Sequence, residues 1–230
     1  MHSLLSPSGS SRWVNCPASV LFTKDIKEEQ SIYAAEGTLA HELAEKILNG
    51  KSIGGLDLPE NMLDYVLKYV SYVNKTTGKY YGFEQKFEIP EIKGWGTIDC
   101  WSVNGNTLHI IDLKYGEGKR VFAKDNMQLL LYAWGAYSIL RYIFEIEMIQ
   151  VHIVQPRMNK NGVFEFDTVN PTELAAFIEY VIKPAVEKSL TLDAEFNTGE
   201  WCWFCKGRKT CKMLKINSSI KDFEEYDIYE

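Results

Sequence analysis

Apolar positions in the first third of the chain recur at helical spacing. In "AAEGTLAHELAEKILNG", Leu39, Leu43, Ile47 and Leu48 form one stripe, which predicts a helix over about 36–48 with Gly50 as its stop. "PENMLDYVLKYVSYVNKTTG" predicts a second amphipathic helix, with Pro59 near its start and Gly78 at its end. Ahead of both, "LSPSGSSRWVNCPASVLFT" carries Ser, Pro and Gly start signals. It predicts a short helix that turns Trp13, Val14 and Val20 inward, with Cys16 beside it before Pro17. The period then shortens. "YYGFEQKFEIP", "GWGTIDCWSV" and "NTLHIIDLKYG" alternate or run apolar over short stretches and predict three consecutive antiparallel strands, the last two joined at Asn104–Asn106.

Helical period returns in "AKDNMQLLLYAWGAYSIL" through Met127, Leu130, Leu131, Trp134 and Tyr137. "MIQVHIVQP" and "GVFEFDTV" predict two more strands. "NPTELAAFIEYVIKPAVEKSL" predicts a helix capped by Asn170, with Pro171 in its first turn and a kink or early end at Pro184. A cysteine-rich segment and an acidic end, "DFEEYDIYE", follow. The expected fold is a mixed α/β core. We divide it into an N-terminal helical region over 1–80, a core over 81–195 and a C-terminal module over 196–230, all one structural unit.

Composition narrows the class without naming it. The 230 residues are 46% hydrophobic, 24% charged and 13% aromatic, a balance that excludes a disordered chain. No apolar run reaches the ~18 residues of a membrane span, and no basic start followed by an apolar stretch marks a signal peptide. The expectation is a cytoplasmic protein. A net charge of −6 argues against coating nucleic acid through bulk charge, but leaves room for a local basic groove or an acidic centre that holds cations. Five cysteines cannot all pair within one chain.

Three of those cysteines stand together as Cys202-x₂-Cys205-x₅-Cys211. Thiolates so crowded suit a metal site, yet a closed site wants four. Elsewhere, Asp112 and Lys114 are two apart on an expected strand and so share a face. Asp112 suits a hard cation, and Lys114 suits the orienting of a water or the stabilising of phosphoryl charge. Asp99 lies one hairpin away, so the two carboxylates can converge at one sheet edge. On spacing alone, the same residues serve as well for a plain ion pair and a turn cap. Gln128 and Tyr132 share a helix face at i, i+4. His41 lies beside the stripe of its helix, where an isolated histidine is more often structural.

The ordered set His41, Gly96-x-x-Asp99, Asp112-x-Lys114 and Gln128-x-x-x-Tyr132 resembles the RecB-type branch of the PD-(D/E)xK nuclease superfamily, whose core is restriction-endonuclease-like. The cysteine pattern resembles its iron–sulfur members, the CRISPR-associated and AddB-like exonucleases of phage or prophage type. The resemblance spans about residues 5–212. It implies that Cys16 joins Cys202, Cys205 and Cys211 around a [4Fe–4S] cluster, with a Cys₄ Zn²⁺ site as the alternative. Cys100 reads as a buried free thiol. The resemblance further implies that His41, Asp99, Asp112 and the Leu113 carbonyl hold Mg²⁺ or Mn²⁺, that Lys114 is the catalytic lysine, and that Gln128 and Tyr132 support it. Glu36 and Glu84 are candidates for a supporting role.

The implied activity is metal-dependent hydrolysis of DNA, as an exonuclease on ends or single strands, in the cytoplasm of a bacterial or phage-infected cell. A homo-oligomer and recombination or CRISPR partner proteins are compatible with it, and a membrane is not expected. The dense basic run "KGRKTCK" offers Lys206, Arg208 and Lys209 to DNA phosphates, and "KYGEGKR" adds Lys119 and Arg120. The alternative is a non-catalytic DNA-binding or assembly module with a degenerate nuclease fold.

Overall fold

The computed structural model describes residues 4–27 and 31–216. The acidic end, 222–230, lies outside the described residues. Five strands form one mixed sheet in chain order: β1 (Tyr80–Ile89), β2 (Gly94–Asn104), β3 (Thr107–Leu113), β4 (Met148–Gln155) and β5 (Val163–Val169). The first three make the expected antiparallel meander. The β2–β3 turn is tight: Asn104 pairs with Thr107, and Gly105 takes φ 57°, which only glycine adopts freely. β3 and β4 are parallel, so a crossover must join them, and helix α5 (Met127–Leu140) supplies it. β5 adds antiparallel to β4. The result is the mixed α/β architecture expected from the sequence.

Both faces of the sheet are covered, which is why β3 reads as a continuous apolar run. Leu108 and Ile110 meet Leu129, Ala133 and Ala136 of α5. Ile111 and Leu113 point the other way, to Leu43 and Ala44 of α3 (Ile32–Leu48) and Val66, Tyr69 and Val70 of α4 (Met62–Thr76). Helix α3 begins one turn earlier than the apolar stripe suggests, because Ser31 accepts a hydrogen bond from the Ala34 N–H and caps it there.

The N-terminal segment forms two short helices rather than one, α1 (Ser10–Asn15) and α2 (Ser19–Thr23), broken around Cys16 and Pro17. Trp13 and Val20 pack with Leu131, Ile182 and Val186 in a third core, and Val14 lies against it half-buried. The C-terminal helix starts with a full capping box at Asn170 and Glu173. It runs as α6 (Pro171–Phe177), a π turn over Ile178–Ile182 and α7 (Lys183–Ser189). The distortion expected at Pro184 is this π turn, which widens the helix where the ring lacks an N–H and crowds the preceding carbonyls. No helix among the described residues is long and apolar enough to cross a membrane.

Two histidines lie in the α4 side of the sheet. His152 Nδ1 contacts Tyr72 Oη at 2.9 Å, and its Nε2 contacts His109 Nδ1 at 3.1 Å. Burial, helped by the neighbouring His109, pushes the His152 imidazolium down from 6.5 to about 3. The unfolded chain therefore takes up this proton below pH 6.5, while the folded chain refuses it until about pH 3. Stability is expected to fall as the pH drops through that window, by about 1.4 kcal/mol for each pH unit crossed. Denaturation midpoints measured from pH 7 to 3.5 should show a shallower slope in His152→Gln than in the parent.

Candidate active site

The site forms where the sheet opens. β2 and β3 pair only as far as Cys100 opposite Ile111. One step further, the register would set Asp99 opposite Asp112, two carboxylates that repel when paired across strands. The ladder parts there. The Leu113 N–H, which has lost its strand partner, donates instead to Asp99 Oδ2 at 2.7 Å. Asp99 thus replaces a backbone acceptor and is held by the fork it terminates.

β1 is distorted at the same level. Phe83 pairs with Cys100 and Gln85 with Ile98, which leaves Glu84 opposite Asp99 with φ 46°. Among the described residues it is the one non-glycine inside a strand with positive φ. Such a conformation costs about 1–2 kcal/mol and persists only where the surroundings impose it. Its effect is to swap the faces of the strand pair. Phe83 and Cys100 face α3 and α4, whereas Phe87 and Ile98 face α5.

Helix α3 brings His41 onto this pair. His41 Nδ1 lies 3.3 Å from Asp99 Oδ1 and 3.5 Å from Glu84 Oε1. The ligand atoms of His41, Glu84 and Asp99 all fall within 4.8 Å of one another, and no other trio of His, Cys, Asp or Glu does so among the described residues. Burial alone would lower the pKa of His41, but the charge and hydrogen bond of Asp99, with Glu84 adding to them, raise it from 6.5 to about 10. One imidazolium then offsets part of the carboxylate charge.

A second set of residues lies behind this trio. Asp112 is buried, and burial pushes its carboxyl up to about 6 against the pull of Lys114. Its Oδ2 is 3.0 Å from Lys114 Nζ, though without an aligned hydrogen bond, and its Oδ1 accepts from Gln128 Nε2 at 3.2 Å. Gln128 also accepts from Lys114 Nζ at 2.9 Å and reaches Tyr132 Oη at 3.0 Å. Tyr132 passes directly over Gly96, where a Cβ would overlap its ring, so Gly96 of the Gly-x-x-Asp motif makes room for this tyrosine. Beneath lies Tyr69 of α4, its hydroxyl buried without a hydrogen-bond partner and its ionisation opposed by burial and by Asp99.

His41, Glu84, Asp99, Asp112, Lys114, Gln128 and Tyr132 therefore converge, and Leu113 enters through its N–H. Glu84 belongs to the inner trio with His41, and Asp112 does not. Glu36 is engaged elsewhere, 2.9 Å from Arg157, which also pairs with Glu117 at 2.9 Å and stacks over Tyr115. A lone arginine after a strand carries no sequence pattern, so Arg157 emerges only from the fold. Lys119 pairs with Glu200 at 3.1 Å and Arg120 with Glu165 at 2.8 Å, so both basic residues of that loop are already matched to carboxylates. Lys206 and Lys209 are exposed and Arg208 is half-buried, its guanidinium over the Trp203 ring.

The four cysteines expected to act together line one cavity, with Arg12, Phe22 and Trp201. All are free thiols. Cys16 comes from the break between α1 and α2, and its sulfur accepts from the Asn197 N–H at 3.4 Å. Burial raises the Cys202 thiol, and Cys16, Cys205 and Cys211 add to the effect. Gly207 lets Phe22 press onto the loop between Cys205 and Cys211, since a Cβ there would overlap the ring. Cys100 is fully buried apart from these four, its thiol pushed up by burial and by Asp99.

Two solved structures are similar to this chain at low identity. One, described as a "Putative exonuclease" from Eubacterium rectale, is 12% identical with a TM-score of 0.46, over 92% of this chain and 87% of that one. The other, SSO0001, is 16% identical with a TM-score of 0.36, over 88% of this chain and 96% of that one. A family model matches residues 2–228, nearly the whole sequence, and the chain belongs to the family described as protein of unknown function, DUF2800.

Proposed function

We propose that the protein is a metal-dependent deoxyribonuclease. The observation that carries the reading is the convergence of His41, Glu84 and Asp99 into one ligand group beside the Asp112–Lys114–Gln128 set. Two carboxylates and an imidazole suit Mg²⁺ or Mn²⁺, the nitrogen favouring manganese. When bound there, such an ion lowers the pKa of a water and neutralises charge on a phosphodiester. The remaining work falls to the chain. Asp112 and Gln128 hold the Lys114 ammonium at the site, where it can donate to a phosphate oxygen or to the attacking water. Tyr132 and Gly96 keep Gln128 in place.

The cysteine cavity is read as a structural [4Fe–4S] site. Four thiolates suit either a [4Fe–4S] cluster or a Zn²⁺ ion, and the Cys202-x₂-Cys205-x₅-Cys211 spacing with Cys16 ahead of it resembles the iron–sulfur set. Bound to Cys16 and to Cys202, Cys205 and Cys211, the cluster would tie α1 and α2 to the C-terminal segment.

Digestion of end-labelled single- and double-stranded DNA with Mg²⁺, Mn²⁺ or EDTA tests the activity. Cutting is expected only with metal, and Lys114→Ala is expected to lose it by about 10²- to 10³-fold. Its fold should persist, because Asp112 can stay neutral once the ammonium is gone. Wild-type protein that binds DNA yet never cuts it, with its cysteine site filled, would replace this reading with that of a binding module.

A further inference from the structure

The α5 side of β1 carries a groove that the candidate active site leaves unused. It lies between β1 and the C-terminal end of α5, and Tyr80, Trp101, Ile143 and Phe144 are among its lining residues. Its charged lining residues are Lys79 and Lys86, with no carboxylate among them. In a chain of net charge −6 that is a local reversal of sign. Tyr80 is 47% exposed and Ile143 is 69% exposed. The Tyr80 and Phe144 rings lie 4.9 Å apart, and Lys79 Nζ lies over the Tyr80 ring. Lys86, at the rim, pairs with Glu88 on its own strand at 3.2 Å and lies over the Trp95 ring at 4.1 Å, on the face away from α5.

We propose that this groove binds single-stranded DNA, bases against Tyr80 and Phe144 and a phosphate against Lys79. Aromatic faces beside a lysine recognise unpaired bases without regard to sequence, while a duplex hides the faces that would stack. The groove and the candidate site share two elements, β1 and α5. Gln85, which lines the groove, follows Glu84 in β1 and accepts from Trp101 Nε1 at 2.7 Å. Helix α5 runs from Gln128 and Tyr132 at the site to Leu140 at the groove, about 12 Å beyond Tyr132 at 1.5 Å per residue. A strand of a few nucleotides covers that length. As the delivery path to a nuclease the groove rests on the function proposed above; as a binding surface it stands by itself. β1 is also an edge strand, so a second copy is the rival occupant.

The test is a fluorescence-anisotropy titration of labelled oligo-dT of about 20 nucleotides in EDTA over a salt series, with cutting assayed separately in Mn²⁺. One single-strand phosphate contact predicts that Lys79→Ala lowers the salt slope by about 0.7. Tyr80→Ala should weaken binding about tenfold or more with the slope unchanged. If both variants bind and cut as the parent does, the groove is overturned and the nuclease stands. If the parent binds oligo-dT through the groove but never cuts, the nuclease falls and the groove stands. A dimer seen by sedimentation that Tyr80→Ala dissociates, with oligo-dT affinity unchanged, would make the groove an interface between copies and overturn the proposal.

Discussion

Asp99→Asn is expected to lose metal-dependent cutting by about 10³-fold while remaining folded. Asp99 has two duties that the substitution separates. Oδ2 accepts the Leu113 N–H at 2.7 Å where the strands part, and an amide oxygen can still accept that bond. Oδ1 faces His41 in the ligand trio, and there the carboxylate charge is what would hold a cation. Asp99→Ala removes both. It leaves the buried Leu113 N–H without an acceptor, at a cost of about 1–3 kcal/mol. Thermal unfolding should therefore place Asp99→Asn near the parent and Asp99→Ala several degrees lower, on the order of 2–4 °C per kcal/mol. Equal loss of activity in both, with unequal loss of stability, is the expected pattern. Full cutting by Asp99→Asn would remove Asp99 from the metal site.

Cys16→Ala is expected to cost more stability than any other single change to the cysteine set. The other three cysteines fall within ten residues, whereas Cys16 joins them from the far end of the chain. A cross-link that closes a loop of that length restricts the unfolded chain by about 5 kcal/mol in the chain-entropy account. The thermal midpoint should fall by roughly 10 °C or more, together with absorbance near ~400 nm from thiolate-to-iron charge transfer. Cys100→Ala should leave that absorbance unchanged, since Cys100 is buried in the sheet core apart from the other four. A colourless parent protein containing one zinc per chain would overturn the iron–sulfur reading and leave the cross-link argument standing.

The two distortions that shape the site explain what could be read before the fold was known. Periodicity located every strand, because apolar spacing reports which residues must leave water, and the central strand β3 is buried on both faces. It could not show that the facing reverses at Glu84, since that depends on one backbone torsion imposed by the neighbouring strand. The resemblance offered Glu84 only as a supporting candidate, and it joins His41 and Asp99 because β1 turns it there. Glu36 looked like a supporting ligand from its place one turn before His41, yet Arg157 lies close enough to claim it. Lys119 and Arg120 looked like phosphate contacts, but Glu200 and Glu165 reach them across the fold.

By itself, the amino-acid sequence determined the order of helices and strands, the mixed α/β class and the residue types able to hold a cation or a cluster. Those follow from spacing, and spacing is a local property. The tertiary structure alone decided which carboxylates face His41, which basic residues are already paired, and that Cys16 shares a cavity with Cys202, Cys205 and Cys211. Each of these is a distance between segments far apart in the chain, set by how the cores pack and by where repulsion between Asp99 and Asp112 opens the sheet.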